Sequence, residues 1–235
     1  MGRQQLLHRP KARPGWRRWL ARLALLLLLG PPAVIAAYRV VPPPITPLMV
    51  LRSLQGQETR REWMPLASIA PALAEAVIAG EDNRFCEQPL GFDAAALREE
   101  MEAWWDGERP RGASTITMQT AKNILLWPGR DPLRKAIEAW LTPQVALLWP
   151  KGRVMEVYLN IVEFGPGLYG AEAAARAFFN KPAAALTQRE AARMAAVLPS
   201  PLNWSATRPS DRVLRRAAVI ERRMGQLGPL LDCVR

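Results

Sequence analysis

The longest apolar feature of the chain stands near its start. From Leu23 to Tyr38 no residue is charged, and Leu25 to Leu29 is solid leucine. Trp16 and Trp19 precede the stretch and Tyr38 closes it, as interfacial aromatics do. Arg39 and Pro42-Pro43-Pro44 then stop the helix. Counted from Leu20 to Val41, the stretch meets the ~20 residues needed to cross a bilayer. It is long for a signal peptide and lacks a small-x-small cleavage site before Tyr38, so an uncleaved anchor is expected.

Beyond it, apolar positions recur at helical spacing. Ser68 is placed to cap a helix running to about Gly80, with Ile69, Leu73, Ala76 and Val77 on one face. Asp93 caps the next, Ala94 to Trp105. Residues 106–112 are polar and rich in Gly and Pro. Thr115 to Leu126 reads as a helix capped by Ser114 and broken by Trp127-Pro128-Gly129. Asp131-Pro132 opens another, with Leu133, Ala136, Ile137 and Trp140 on one face and Pro143 expected to kink or end it. From Gly152 to Phe164, Met155, Tyr158, Leu159 and Val162 form an apolar face, and Arg153, Glu156, Asn160 and Glu163 the wet one. Gly165-Pro166-Gly167 is a turn. Gly170 to Phe179 is a helix of small residues, Thr187-Gln188-Arg189-Glu190 is a capping box, and Ser210 to Leu227 is a basic amphipathic helix. No segment sustains period-two alternation. The fold class is all-α.

Composition adds an address. The net charge is +11, and seven of the basic residues (Arg3, Arg9, Lys11, Arg13, Arg17, Arg18, Arg22) fall before the apolar stretch with no acidic residue among them. That side is expected in the cytoplasm and the rest of the chain across the membrane. The excess belongs to the tail, so no nucleic-acid face is implied; the milder surplus elsewhere favours an anionic partner such as phospholipid or a phosphate-bearing substrate. His8 is the only histidine and lies in the tail, which excludes histidine triads and histidine metal sites. Acid–base chemistry then falls to carboxylates, Lys, Tyr or Cys. Cys86 and Cys233 are too few for a disulfide framework; one disulfide stays open in an oxidising compartment, and two unpaired thiols are the favoured reading.

Three clusters carry candidate chemistry. Glu81-Asp82 ends an apolar helix, where the helix dipole disfavours negative charge and raises a carboxylate pKa, as a general base requires. The bland alternative is a solvated helix end. In the second cluster, Thr115, Gln119 and Lys122 share one face at i, i+4 and i+7 beside Ser114, with Arg130, Arg134 and Lys135 close behind. A helix start with several cations suits a diphosphate, although such runs usually face water. The third is Lys151, Arg153, Glu156, Asn160 and Glu163, whose bland alternative is the wet side of a helix.

Taken together and in order, AVIAGEDNRF…GFD (76–93), GASTITMQTAKNILLWPGR (112–130), RKAIE (134–138), KGRVMEVYLNIVEFGPGLYG (151–170) and AARMAAVLPSP (191–201) resemble the monofunctional biosynthetic peptidoglycan glycosyltransferases, the family 51 glycosyltransferases. The resemblance implies a lysozyme-like helical catalytic domain behind a single transmembrane helix, with a membrane-facing jaw to which Trp104 and Trp105 belong. The expected division is tail 1–22, anchor 23–41, lead-in arm 42–65 and catalytic domain 66–235, in the stand-alone form without a transpeptidase. By motif, Glu81 and Glu156 are the implied catalytic carboxylates. Lys122, Arg130 and Lys151 are the implied diphosphate cations, and Asp82, Ser114, Thr115, Gln119 and Asn160 further substrate-binding residues. The implied reaction polymerises lipid II, taking undecaprenyl-diphosphate-linked glycan as donor, at the periplasmic side of the inner membrane. No tightly bound cofactor is implied; a divalent cation (Mg2+ or Mn2+) would meet Glu156. Cell-wall synthesis or division proteins are the implied protein partners.

Two positions depart from the pattern. Cys86-Glu87-Gln88-Pro89-Leu90 stands where a histidine pair is usual, and Met118 where a glutamine is usual. Two other readings remain open: a lysozyme-like hydrolase or lytic transglycosylase, which also relies on a glutamate, and a non-catalytic membrane scaffold. The first has no use for converging cations, and loss of Glu81 or Glu156 would have marked the second.

Overall fold

A computed structural model describes residues 15–108, 114–129 and 131–234. The first fourteen residues, 109–113, Arg130 and Arg235 lie outside it, as do the side chains of Glu100, Trp104 and Pro229. The basic residues Arg3, Arg9, Lys11 and Arg13, part of the polar 106–112 stretch, Arg130 and one jaw tryptophan therefore fall outside the described residues.

In chain order the helices are α1 (Gly15–Tyr38), α2 (Pro47–Leu54), α3 (Pro71–Glu81), α4 (Ala94–Trp105), α5 (Ile116–Leu125), α6 (Pro132–Leu148), α7 (Lys151–Ile161), α8 (Ala171–Phe179), α9 (Gln188–Val197) and α10 (Asp211–Met224). Between them lie the short strands β1 (Arg60–Arg61), β2 (Glu163–Gly165) and β3 (Leu168–Tyr169). The architecture is helical, as expected, and α1 is long and apolar enough to cross a membrane. Its C-terminal end is tied to the domain: Trp149 Nε1 donates to the Ile35 carbonyl at 2.7 Å, and Arg153 Nη2 to the Tyr38 carbonyl at 2.9 Å.

Helix α3 is apolar around most of its circumference, with Leu73, Ala74, Ala76, Val77, Ile78 and Ala79 buried, so it has to be enclosed. Helices α9 and α10 enclose it. The buried alanines 191, 192, 195 and 196 of α9 permit close approach. Helix α3 begins later than Ser68 suggests. Leu66–Ser68 forms a separate 3-10 turn, and Pro71 at the first helical position, with its φ already set, starts the helix instead. Asp93 caps α4 as expected, its Oδ1 accepting from the Ala95 and Ala96 amides at 3.0 Å. The Asp131 cap and the Thr187–Glu190 capping box also form.

Pro143 neither ends nor replaces a turn of α6, which runs 17 residues through it. A proline leaves a carbonyl one turn back without its amide partner. Here side chains support the neighbouring carbonyls: Thr142 Oγ1 donates to Glu138 O at 2.7 Å, and Gln144 Nε2 to Trp140 O at 2.9 Å.

The sequence shows no strands because these are two or three residues long, too short for a period of two to register. They form one sheet in the order β1-β3-β2, with β1 parallel and β2 antiparallel to β3. Gly167 of the connecting turn has φ +71° and lies so close to the Glu58 carbonyl that a Cβ would stand 2.1 Å from its oxygen. Only glycine fits there.

The lead-in arm is part of the fold, because α2 and β1 belong to it. It covers the face of α7 expected to be wet. Asn160 is fully buried: its Oδ1 accepts from Met64 N, and its Nδ2 donates to Met64 O and Glu156 O, all at 2.8 Å. Glu163 is buried in the sheet. Asn160→Ala is expected to strand two backbone groups of the arm and cost about 2 kcal/mol. The check is a thermal melt, with Tm lowered by roughly 4–8 °C; an unchanged Tm would remove Asn160 from this role.

The expectation of two free thiols is wrong. Cys86 and Cys233 form a disulfide, with Cα atoms 5.5 Å apart across a sequence separation of 147. Sequence spacing carried no sign of it, because the last helix returns the C-terminus to the loop after α3 only in three dimensions. The 3-10 turns Phe85–Glu87 and Gly228–Leu231 pack together there.

Candidate active site

Four helices meet where α3 ends. Glu81, the last residue of α3, is held at both oxygens. Gln119 Nε2 of α5 donates to Oε2 at 3.1 Å, and Arg216 Nη2 of α10 to Oε1 at 3.0 Å. The same Arg216 nitrogen donates to the Gly80 carbonyl at 3.0 Å, so the arginine also completes the helix end. Burial raises the Glu81 pKa; Gln119, Arg216 and Lys122 oppose that rise. The carboxylate lines a cleft of about 200 Å³ with Asp82, Asn83, Ser114, Thr115 and Arg223. A partly buried carboxylate with raised pKa at a cleft wall has the properties of a general base.

The helical spacing of α5 holds. Gln119 and Lys122 both act on Glu81, one by hydrogen bond and one by charge. Burial lowers the Lys122 pKa, while Glu138 opposes that. Glu138, from the RKAIE stretch, is buried and bridged by Arg134 at 2.5 Å and Lys135 at 2.6 Å. A second cavity of about 260 Å³ lies beyond, lined by Lys122, Asn123, Trp127, Pro128, Gly129 and Arg134 among others. Lys122 thus lines a cavity next to the Trp127-Pro128-Gly129 break while its charge reaches Glu81. Arg130, expected in this group, lies outside the described residues.

The cap of α5 is Thr115 rather than Ser114. Thr115 Oγ1 accepts from Met118 N at 3.1 Å and donates to Gly91 O at 2.6 Å. Gly91 has φ +77°, and a Cβ on it would stand 2.7 Å from Thr117 Cγ2, so the loop closes on α5 only with glycine. Ser114 is exposed and accepts from Lys135 Nζ at 3.2 Å. Asp82 is placed for structure. Its Oδ2 accepts from Ile116 N at 3.0 Å and its Oδ1 from Gln88 Nε2 at 2.5 Å, which ties the end of α3 to the start of α5. Burial raises its pKa to about 6.

Lys151 opens α7. Its Nζ sits 4.5 Å from the centre of the Phe85 ring and has no hydrogen-bond acceptor among the described residues. Burial lowers its pKa to about 8, with Asp82 opposing. A buried ammonium nitrogen without an acceptor among the described residues is a group that an incoming anion would satisfy. Tyr158, seven residues on, shares its face and reaches Gln119 Oε1 at 3.1 Å.

Glu156 stands apart from this group. It lies two residues before Tyr158, roughly 200° around the helix. Its Oε2 accepts from Leu66 N at 2.8 Å and its Oε1 pairs with Arg153, so it secures the lead-in arm together with Asn160. It borders a separate groove of about 680 Å³ walled by Leu66, Ile69, Pro71 and Leu231. The carboxylates that neighbour Lys122 are Glu138 and Glu81. Each oxygen of Glu156 thus accepts one donor within the fold.

Sequence reasoning missed Arg216, Arg223, Tyr158 and Glu138 as members of the site. The signal for the first two was present: Arg216 and Arg223 are seven apart on a basic amphipathic helix, hence on one face.

The Transglycosylase family model matches residues 48–225, which takes in α10 as well as the motifs. A biosynthetic peptidoglycan transglycosylase of Caulobacter vibrioides is 47% identical over 220 residues, covering 93% of this chain and 96% of that protein. One from Rhodospirillum centenum is 52% identical over 208 residues, 87% of each chain. One from Bdellovibrio bacteriovorus is 43% identical over 219 residues, covering 91% of this chain and 87% of its own. With this much shared sequence across both the fold and the cleft, the chain belongs to the peptidoglycan transglycosylase family, enzymes that polymerise glycan strands.

Proposed function

We propose that this enzyme extends peptidoglycan strands from lipid II, with a glycan on undecaprenyl diphosphate as donor and the 4-hydroxyl of the lipid II disaccharide as acceptor. The observation that carries this is Glu81 fixed at the cleft by Gln119 and Arg216, with Lys122 beside it. Glu81 takes the acceptor proton as the oxygen attacks the anomeric carbon. The diphosphate departs from the opposite face, so the α-linkage becomes β-1,4. It leaves as an anion, and cations replace the acid that a poorer leaving group would need. Lys122, Lys151 and Arg130 take that role. Arg134 and Glu138 hold the Lys122 side of the cleft.

A hydrolase or lytic transglycosylase acting on neutral glycan would have no use for the unpaired Lys151 ammonium. Incubation with purified lipid II, set against intact sacculi, tests the reading. Polymer from lipid II is expected, and release of fragments from sacculi alone would overturn it.

The expected site of action is the periplasmic face of the inner membrane. The basic residues ahead of α1 favour a cytoplasmic N-terminus. The Cys86–Cys233 disulfide supports an oxidising compartment for the domain. Leu97, Met101 and Trp105, spaced four apart on α4 and all exposed, suit contact with phospholipid.

Lys151 gives a pH dependence. Its cationic form binds diphosphate, and that form is lost as pH rises through about 8. The kcat/KM for lipid II is therefore expected to fall on the alkaline side, roughly tenfold per pH unit once past the limb. Arginine keeps its charge over this range, so Lys151→Arg should move the limb upward even where its rate is lower. Rates measured from pH 7 to 10 in both proteins decide it; an identical limb would assign it to another group.

A further inference from the structure

We propose that Tyr158 is a positioning residue: its hydroxyl locks the Gln119 side-chain amide so that the NH2 group, and not the carbonyl, faces the Glu81 carboxylate. The inference rests on the reading of Glu81 as the base. Tyr158 is fully buried on α7, and its oxygen stands 3.1 Å from Gln119 Oε1. The other end of the same amide, Nε2, stands 3.1 Å from Glu81 Oε2. Three helices thus contribute to one line of hydrogen bonds, Tyr158 to Gln119 to Glu81.

A glutamine amide has two orientations of nearly equal shape, and its partners choose between them. The Tyr158 phenol stays protonated, because burial and the nearby Glu81 and Asp82 carboxylates push its pKa well above the usual value. It must therefore donate, and Gln119 Oε1 is its acceptor. Turning the amide over would strand the buried phenol hydrogen and leave Oε1 against the carboxylate, both unfavourable.

The consequence falls on the proton. Ionised Glu81 accepts the Gln119 N–H, whereas protonated Glu81 would need an acceptor and finds a donor. The lock therefore favours the ionised carboxylate, the form that can accept a proton from the sugar hydroxyl. The other groups facing Glu81 are Arg216 of α10, on Oε1, and Lys122 of α5; the carboxylate of Asp82 lies near Tyr158. None of these changes when the phenol oxygen is removed.

The experiment is the acid limb of kcat/KM for lipid II, measured on the full chain in Tyr158→Phe. Without the lock Gln119 can turn its carbonyl to protonated Glu81, so the limb should move up by about 0.5–1 pH unit. Gln119→Leu should move it in the same direction, and the double variant should go no further than Gln119→Leu alone. A rate lowered equally at every pH, with an unmoved limb, would make Tyr158 a packing residue and overturn the proposal. Should Tyr158→Phe not fold, 3-fluorotyrosine at position 158 carries the test. Its stronger phenol donor should move the limb down, and an unmoved limb would again overturn the proposal. Glu81→Gln separates the two levels. Near-normal turnover in that variant removes the base itself, whereas an inactive variant alongside an unmoved Tyr158→Phe limb removes only the lock.

Discussion

Glu81→Gln is expected to lower polymerisation of lipid II by about 10²–10⁴ while the protein keeps its fold. The amide replaces one oxygen with nitrogen and leaves the volume unchanged, but it cannot accept the acceptor proton. Among the described residues no histidine is present, and the neighbouring Asp82 has both oxygens engaged by Ile116 and Gln88. Folding should survive because burial already disfavours the Glu81 charge, as its raised pKa indicates. Removing that charge lifts the burial penalty and loses the Arg216 ion pair at 3.0 Å, two effects of opposite sign. The measurements are turnover on lipid II and a melting curve. Turnover within a few-fold of the parent would reject Glu81 as base, and a collapsed melt would mean that the rate says nothing about chemistry.

Breaking the Cys86–Cys233 disulfide is expected to destabilise the domain by roughly 3–5 kcal/mol, because a closed loop of this size restricts the unfolded chain strongly. The separation of 147 residues means that most of the catalytic domain lies inside the loop. For a chain of this length the loss should lower Tm by about 10 °C. The effect should reach the site too. Cys86 follows Phe85, whose ring lies under Lys151 Nζ. The Cys233 carbonyl oxygen lies close to Gly152, where an added Cβ would stand 3.8 Å from it. Melting Cys86→Ser, Cys233→Ser and the thiol-reduced parent against the oxidised parent gives the comparison. Three lowered and similar Tm values are expected. A reduced protein that melts with the oxidised one would show that the bond adds nothing.

Sequence by itself settled much of what depends on neighbours within a few residues, although the caps of α3 and α5 fell elsewhere than at Ser68 and Ser114. The apolar run of α1, the Asp93 and Asp131 caps, the Thr187–Glu190 box and the 3.6-residue period of α5 and α7 are local patterns with local causes. The same holds for Gln119 and Lys122 sharing a face. What the tertiary structure decided is which surface covers which. Glu156 and Asn160 read as the wet side of α7 because nothing in their own helix shows that the arm from residues 61–66 will lie over them. Arg216 reads as one more surface cation until α10 packs along α3 and brings it to Glu81. Cys86 and Cys233 read as unrelated thiols until the chain closes. Hydrogen bonds and disulfides between distant segments leave no period in a sequence, since their partners are set by packing rather than by spacing. The candidate base could thus be named from the sequence, whereas the side chains that aim it, Tyr158 through Gln119 on one oxygen and Arg216 on the other, became visible only once four helices were assembled around it.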